Sequence, residues 1–372
     1  METLKATEIG KKNDYWLDDN GTDPLAQLCK AVEYSQLTKH DYQVKPSAAY
    51  YDGPSNMLIF GPVTLPINSH AHGQFASKLG IPRAYYDKMM EEAPELMSEN
   101  VNHWLKNMNN PVLIRTEDNY IRAILSNSYR TMDNYDLLSE IIPVLQETEL
   151  TVKCASITDK RMYLKCIFES VQAEVIPGRV VASGTVISNS EVGAGALKVE
   201  NFVWEYACKN GLITGKSLAQ IHVGRRQGMV ENVNVNYIQN DTREAEDKAF
   251  ALKARDAVKA LTDRTNFDLS LNKLRAASER KIEVPIQDVM EVTEKKFGLR
   301  KGETQGVLSE YIENAHKTGG NNQYSLVNAV TAVAREVGKE NQDRQTELER
   351  IGNDILDMPE KDIVQVFASK AS

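Results

Sequence analysis

The residues best placed to do chemistry lie between positions 111 and 230, where 13 Lys and Arg side chains alternate with 13 carboxylates. Arg115, Tyr120, Arg122 and Arg130 come first, Lys160 and Arg161 follow, and Arg225 and Arg226 close the series. Cations spaced along extended segments with aromatic rings between them are what a single-stranded nucleic acid surface uses: cations for phosphates, rings for bases. Asn189, Gly193 and Gly195 stand apart, in the phrase NSEVGAG. Glycines here permit a close backbone approach, and a strand feeding a helix through such a turn presents unpaired N–H groups to an anion. The expectation is therefore a cationic surface with an anion pocket at Asn189, Gly193 and Gly195.

Other chemistries find less support. The chain has no G-x-S-x-G elbow and no H-E-x-x-H. Gly211 and Gly215 precede Lys216 and Ser217, but three residues separate the glycines where a phosphate-binding loop needs four. Asp118, Asp133 and Glu191 are the carboxylates a metal-dependent nuclease would draw together, yet nothing in their spacing requires it. His70 and His72 make half a metal site at best, with no third ligand evident. No catalytic residue and no cofactor or metal is assigned. The four cysteines, Cys29, Cys154, Cys166 and Cys208, are far apart and form no C-x-x-C, which fits a reducing compartment.

The elements that carry these residues follow from periodicity. The segment VLIRTEDNYIRAILS alternates around a turn and is expected to form a hairpin, with Arg115 and Arg122 on its two arms and Tyr120 sharing a face with Arg122. A helix over 134–146 follows, then strands over 151–158 and 162–169 with Lys160 and Arg161 between them. Residues 180–188 read as a strand. Leu197, Phe202, Val203, Tyr206 and Ala207 then fit a helical stripe, closed by Asn210 and Gly211. Upstream, residues 69–92 read as two helices broken at LGIP. That arrangement is like a helix-turn-helix, but RAYYDKMMEEAPE is too acidic to face phosphates, so a plain helical hairpin is favoured. Beyond 241 the chain is helical and charged. The fold class is α+β: an antiparallel sheet with packed helices, then a mostly helical C-terminal region. The expected divisions are an N-terminal extension over 1–55, an α+β core over 56–240 and the helical region over 241–372.

Several phrases match a known family in order: LGIPRAYYDKM, AILSNSYRTMDNYDLL, SGTVISNSEVGAGALKVENFVWEYACKNGLI and SLVNAVTAVARE. Over about 56–340 the chain resembles the phage and plasmid proteins that carry the domain of unknown function 932. It departs from them at Lys209, where a small polar residue is expected. The resemblance implies a bacteriophage or mobile-element origin and a setting among replication, recombination and anti-restriction functions. The layout is also similar to that of phage single-strand annealing recombinases, which are oligomeric and use no nucleotide cofactor.

A net charge of −8 argues against a basic coat, so any cationic surface must come from segregation of charge. No apolar run is long enough to span a bilayer, and METLKATEIGKKNDYW lacks the apolar core of a signal peptide, so a cytoplasmic location without membrane contact is expected. The leading expectation is a nucleic-acid-binding protein acting on single-stranded DNA, able to form a homo-oligomer. The rivals are an inhibitor that binds a host protein and never touches DNA, and an enzyme whose site is built from scattered residues.

Overall fold

The computed structural model describes residues 14–16, 23–221 and 240–358. The fold is α+β, with antiparallel sheets and a mostly helical C-terminal region.

A six-stranded sheet forms the centre. Its strands are β1 (Asp14–Trp16), β8 (Leu150–Ile157), β9 (Met162–Glu174), β10 (Val180–Asn189), β11 (Leu197–Glu205) and β12 (Asn210–Ile221), in that spatial order. From β8 onward each strand pairs antiparallel with its predecessor, which makes a meander. Two smaller sheets precede it in the chain. One pairs β2 (Lys39–Val44) with β6 (Val112–Glu117) and β7 (Tyr120–Ser126); the other joins β3 (Ala49–Asp52), β4 (Met57–Phe60) and β5 (Val63–Pro66). Residue 55 therefore lies in the β3–β4 turn, and segments upstream of it are sheet members rather than an extension.

The helix expected after β10 is replaced by β11 and β12. Leu197, Val199, Phe202 and Val203 are buried on a strand, and Tyr206 to Lys209 form the turn into the next. Lys209 turns the chain with φ +53°, a conformation that costs an L-residue about 1–2 kcal/mol. Asn210 and Gly211 open β12 instead of capping a helix.

Helices cover both faces of this sheet, so its strands are buried on both sides. Leu164, Ile187 and Val199 share one apolar cluster with α1 (Pro24–Thr38), α5 (Asn134–Glu147) and α6 (Asn240–Leu261). The next residues along β9 and β11, Lys165 and Glu200, reach the opposite face and pair with Glu349 and Arg350 of α11 (Gln342–Leu356). On that side α7 (Arg264–Glu279), α8 (Ile286–Phe297), α9 (Lys301–Asn314) and α10 (Gln323–Gly338) share a cluster with Val181, Val203 and Leu212. Between β5 and β6 the chain forms α2 (Ser69–Leu79), α3 (Arg83–Glu92) and α4 (Pro94–Asn107). Asn68 caps α2 by accepting from the Ala71 N–H, and Gly80 ends it with φ +68°. His70 and His72 thus stand on a helix, two residues apart and on different faces. Among the described residues no helix is long and apolar enough to cross a membrane.

Candidate nucleic-acid interface

One end of the central sheet gathers several of the candidate residues. Asn189 pairs with Met162, and Leu197 with Ile221. The β8–β9 turn, the β10–β11 connection and the end of β12 therefore lie at the same end. The β10–β11 connection holds Ser190, Glu191, Val192, Gly193, Ala194 and Gly195, and its Val192 packs against Leu113, Ala123 and Leu125 of the β6–β7 hairpin.

Glu191 sits at the centre, 5% exposed. Its Oε1 accepts from the Asn134 N–H at 2.6 Å, at the start of α5, and its Oε2 pairs with the Arg122 guanidinium. Asp133, the cap residue of α5, makes no side-chain capping bond, so Glu191 supplies the anion that this helix terminus attracts. Asp133 instead pairs with Lys39 at 2.6 Å and with Arg115 at 2.8 Å. Arg115 also donates to Asp41 at 2.8 Å and to the Glu191 carbonyl at 2.8 Å. Arg122 completes the network through Glu117 at 2.8 Å. Burial works against the charged form of Asp133, but Arg115 and Lys39 override it and hold the carboxyl well below the ordinary range. Burial likewise opposes the charge on Arg115, and Asp133, Asp41 and Glu191 more than compensate.

This placement corrects the surface expected at Arg115, Tyr120 and Arg122. The three are 1%, 8% and 6% exposed, and both guanidinium groups are engaged by carboxylates of the chain. Arg130 is also committed: it pairs with Glu246 and Asp247 and lies over the Phe250 ring at 4.2 Å, which ties α6 to the segment before α5. The anion pocket is corrected as well. Asn189 is fully buried and its amide donates to the Met132 carbonyl and to Asn134 Oδ1, both at 2.9 Å. Gly193, at φ +75°, and Gly195, at φ +150°, shape a turn whose carbonyls are taken by side chains. The Val192 carbonyl accepts from Gln74 at 2.6 Å and lies 3.0 Å from His70 Nε2; the Ala194 carbonyl accepts from Arg161. Arg225 and Arg226 lie outside the described residues.

Lys160 and Arg161 remain at the surface. Lys160 is exposed and Arg161 half-buried on the β8–β9 turn. The sheet brings a third cation to them, Lys198 of β11. Burial pushes the Lys198 ammonium down, the positive charges of Arg350 and Arg161 push it the same way, and Glu200 offsets part of that. Arg350 itself holds Glu200 through bonds of 3.0 and 2.6 Å. Sequence reasoning missed Lys198 because it placed the residue on a helix. The alternation of Leu197, Val199 and the intervening Lys198 was the signal that could have found it.

Beside these cations a small cleft of about 30 Å3 opens under the β8–β9 turn, lined among others by Glu117, Tyr120, Arg122, Lys160, Arg161 and Glu191. Burial pushes the Tyr120 hydroxyl pKa up, helped by Glu117, so the phenol stays protonated. Among the described residues no group of three His, Cys, Asp or Glu side chains is arranged to hold a metal. His72 is enclosed, with Nε2 donating to Asn56 Oδ1 at 2.8 Å and Nδ1 accepting from the Tyr86 hydroxyl at 2.7 Å. Asp118 accepts from the Tyr34 hydroxyl at 2.9 Å. The arrangement can hold anions at its rim and has room within for a group the size of a water. No protein-family model matches the chain, and neither does any curated protein or solved structure.

Proposed function

We infer that the chain binds nucleic acid, single-stranded DNA above all, as a phage or mobile-element protein of recombination or replication. The observation that carries this reading is the gathering of Lys160, Arg161 and Lys198 at one end of the central sheet. Crowding cations against one another is unfavourable, and an incoming phosphate relieves it. Strand β12 ends at Ile221 at this same edge, and Arg225 and Arg226 follow in the sequence. The likeness to phage and plasmid proteins supports the same reading. The buried network of Arg115, Arg122, Asp133 and Glu191 serves as the rigid floor that positions the rim.

The test is fluorescence anisotropy of labelled oligothymidine across a salt series. Binding is expected to weaken linearly in log salt, with a slope of about 0.7 per phosphate neutralised. Joint charge reversal by Lys160→Glu and Lys198→Glu is expected to lower that slope by about 1.4, two contacts' worth. No salt-sensitive binding at low ionic strength, or wild-type binding by the doubly reversed variant, would refute the assignment.

A further inference from the structure

Helix α4 carries apolar residues on two opposite faces. Met97, Val101 and Leu105 repeat every four residues and are buried in the core. An amphipathic helix is expected to be polar opposite such a stripe. Here Leu96 and Trp104 stand outward at 45% and 47% exposure, with Asn100 between them at the same four-residue spacing. The Trp104 indole N–H donates to Asn100 Oδ1 at 3.1 Å, which lays the ring along that outward stripe. Single exposed hydrophobes are normal on a protein surface. A leucine and a tryptophan aligned on one rigid helix are instead the pattern of an interface centre. The rigidity comes from β3 and the turn after it. Asn102 accepts from the Tyr51 N–H and donates to the Tyr51 carbonyl, both at 2.8 Å, and Ser98 Oγ accepts from the Gly53 N–H at 2.6 Å.

The charges beside the stripe identify what covers it. Glu95, Glu99, His103 and Lys106 flank it on one side, all exposed. The flank is acidic toward the start of the helix and basic toward its end. A second α4 laid antiparallel, with Asn100 facing Asn100, places Leu96 against Trp104 in both halves. The same reversal puts Glu95 beside Lys106 of the other copy and Glu99 beside its His103. A parallel pair would set glutamate on glutamate and lysine on lysine, which is unfavourable. A pattern that complements itself under a two-fold rotation is what an isologous dimer requires. The two Asn100 amides meet at the centre, where one polar pair fixes the register.

We propose that the outward face of α4 is a homodimer interface, closed by Leu96 and Trp104 and oriented by two Glu95–Lys106 ion pairs. It shares no residue with the cationic rim and stands independently of the nucleic-acid reading. One helix from each copy is a small contact, below the standard interface size of about 1,600 Å2, so the dimer is weak, with a Kd on the order of 10 µM.

Sedimentation velocity of the full chain, from well below to well above that concentration, is the test. The wild type is expected to pass from monomer to dimer. Trp104→Ala truncates the anchor and is expected to weaken association about thirtyfold, and Leu96→Glu to abolish it. Both positions are exposed, so the variants fold, which far-UV circular dichroism checks. Glu95→Lys and Lys106→Glu each replace two attractions by two repulsions and are expected to weaken association about tenfold at low salt, while the two together restore it. Only a second copy of this chain carries both halves of that swap, so restoration rules out a docking protein of another sequence. A wild type that stays monomeric throughout, a dimer indifferent to Trp104→Ala and Leu96→Glu, or a double swap no better than either single change overturns the proposal.

Discussion

Replacing Glu191 with Gln separates two accounts of this residue. If Glu191 merely faced a helix dipole at the surface, neutralising it would cost about 0.3–1 kcal/mol. The structure puts it in a different position. Its carboxylate is 5% exposed, accepts the Asn134 N–H at 2.6 Å, pairs with Arg122 and lies 3.8 Å from Lys39. Gln keeps the shape but has one acceptor oxygen in place of two. If that oxygen serves Asn134, the amide NH2 faces the Arg122 guanidinium donor to donor. Removing one member of a buried ion pair costs about 3–5 kcal/mol. Glu117 still holds Arg122 and Asp133 still holds Lys39, so the lower end of that range, about 3 kcal/mol, is expected.

Such a loss is large against a typical domain stability of about 5–15 kcal/mol. With a urea slope of about 3 kcal/mol per molar, 3 kcal/mol moves the unfolding midpoint by about 1 M. Equilibrium unfolding of wild type and Glu191→Gln, followed by far-UV circular dichroism, measures it. Glu191→Asp is the companion variant: it retains the charge but falls one methylene short, and is expected to land between the two. A midpoint shift under about 0.3 M for Glu191→Gln, which corresponds to less than about 1 kcal/mol, would refute the hub and restore the surface account.

Three further outcomes follow from single positions. Lys209→Gly, at φ +53°, relieves left-handed strain and is expected to raise stability by up to about 1 kcal/mol, the chain entropy of glycine taking back part of the gain; urea unfolding reads it. Gly195→Ala, at φ +150°, brings a Cβ onto the Arg161 guanidinium and is expected to cost about 1–3 kcal/mol and to displace Arg161 from the Ala194 carbonyl, which weakens oligothymidine binding in the same anisotropy assay. His72 makes stability depend on pH: burial, with Arg83 adding to it, pushes its pKa down to about 3. Between the ordinary histidine range and that value the unfolded chain binds a proton that the folded chain refuses, so stability falls as pH falls, by about 1.4 kcal/mol per pH unit. Between about pH 7 and pH 5 the loss from His72 is about 2 kcal/mol, and in His72→Gln that part of the slope disappears.

The parts of the fold that could be read from sequence are those governed by local pattern. The β6–β7 hairpin declared itself by alternation about Asp118 and Asn119, and the Asp118 φ of +50° fits the tight turn. The helices of residues 240–356 showed their periodicity and loops. Strand β11 did not, for a physical reason. Helices lie on both faces of the central sheet, so polar residues do not mark an outward side, and Phe202, Val203 and Trp204 run on without alternation. A register shift between Val199 and Asn201 then breaks what alternation remained, and the leftover spacing mimics a helical stripe. The fate of the arginines was hidden differently. Arg115 finds Asp41, Asp133 and Glu191, which lie 74, 18 and 76 residues away. No local pattern reports such pairing. The balance of 13 cations and 13 carboxylates over 111–230 was no guide either, because several of their partners, Lys39, Asp41, Glu246, Asp247 and Glu349 among them, lie outside that segment.

The glycine turn was a reasonable place to expect an anion, because a strand leading through glycines into a helix exposes N–H groups. With β11 in place of that helix, the polarity of the turn reverses. Most of the groups it presents to its surroundings are carbonyls: Ser190 to the Tyr129 hydroxyl at 3.4 Å, Glu191 to Arg115, Val192 to Gln74 and Ala194 to Arg161, while the Gly193 N–H faces the Tyr129 oxygen. The Ala194 N–H is turned inward to Ser190 Oγ at 2.9 Å. A ring of carbonyls repels phosphate and recruits cations, and the cations it recruits are arginines of the chain. On the proposed reading the turn would contribute to anion binding only through Arg161, which it fixes beside Lys160 and Lys198. Loss of the turn geometry and loss of the rim cations are thus expected to weaken phosphate binding alike, whereas only the first also destabilises the fold.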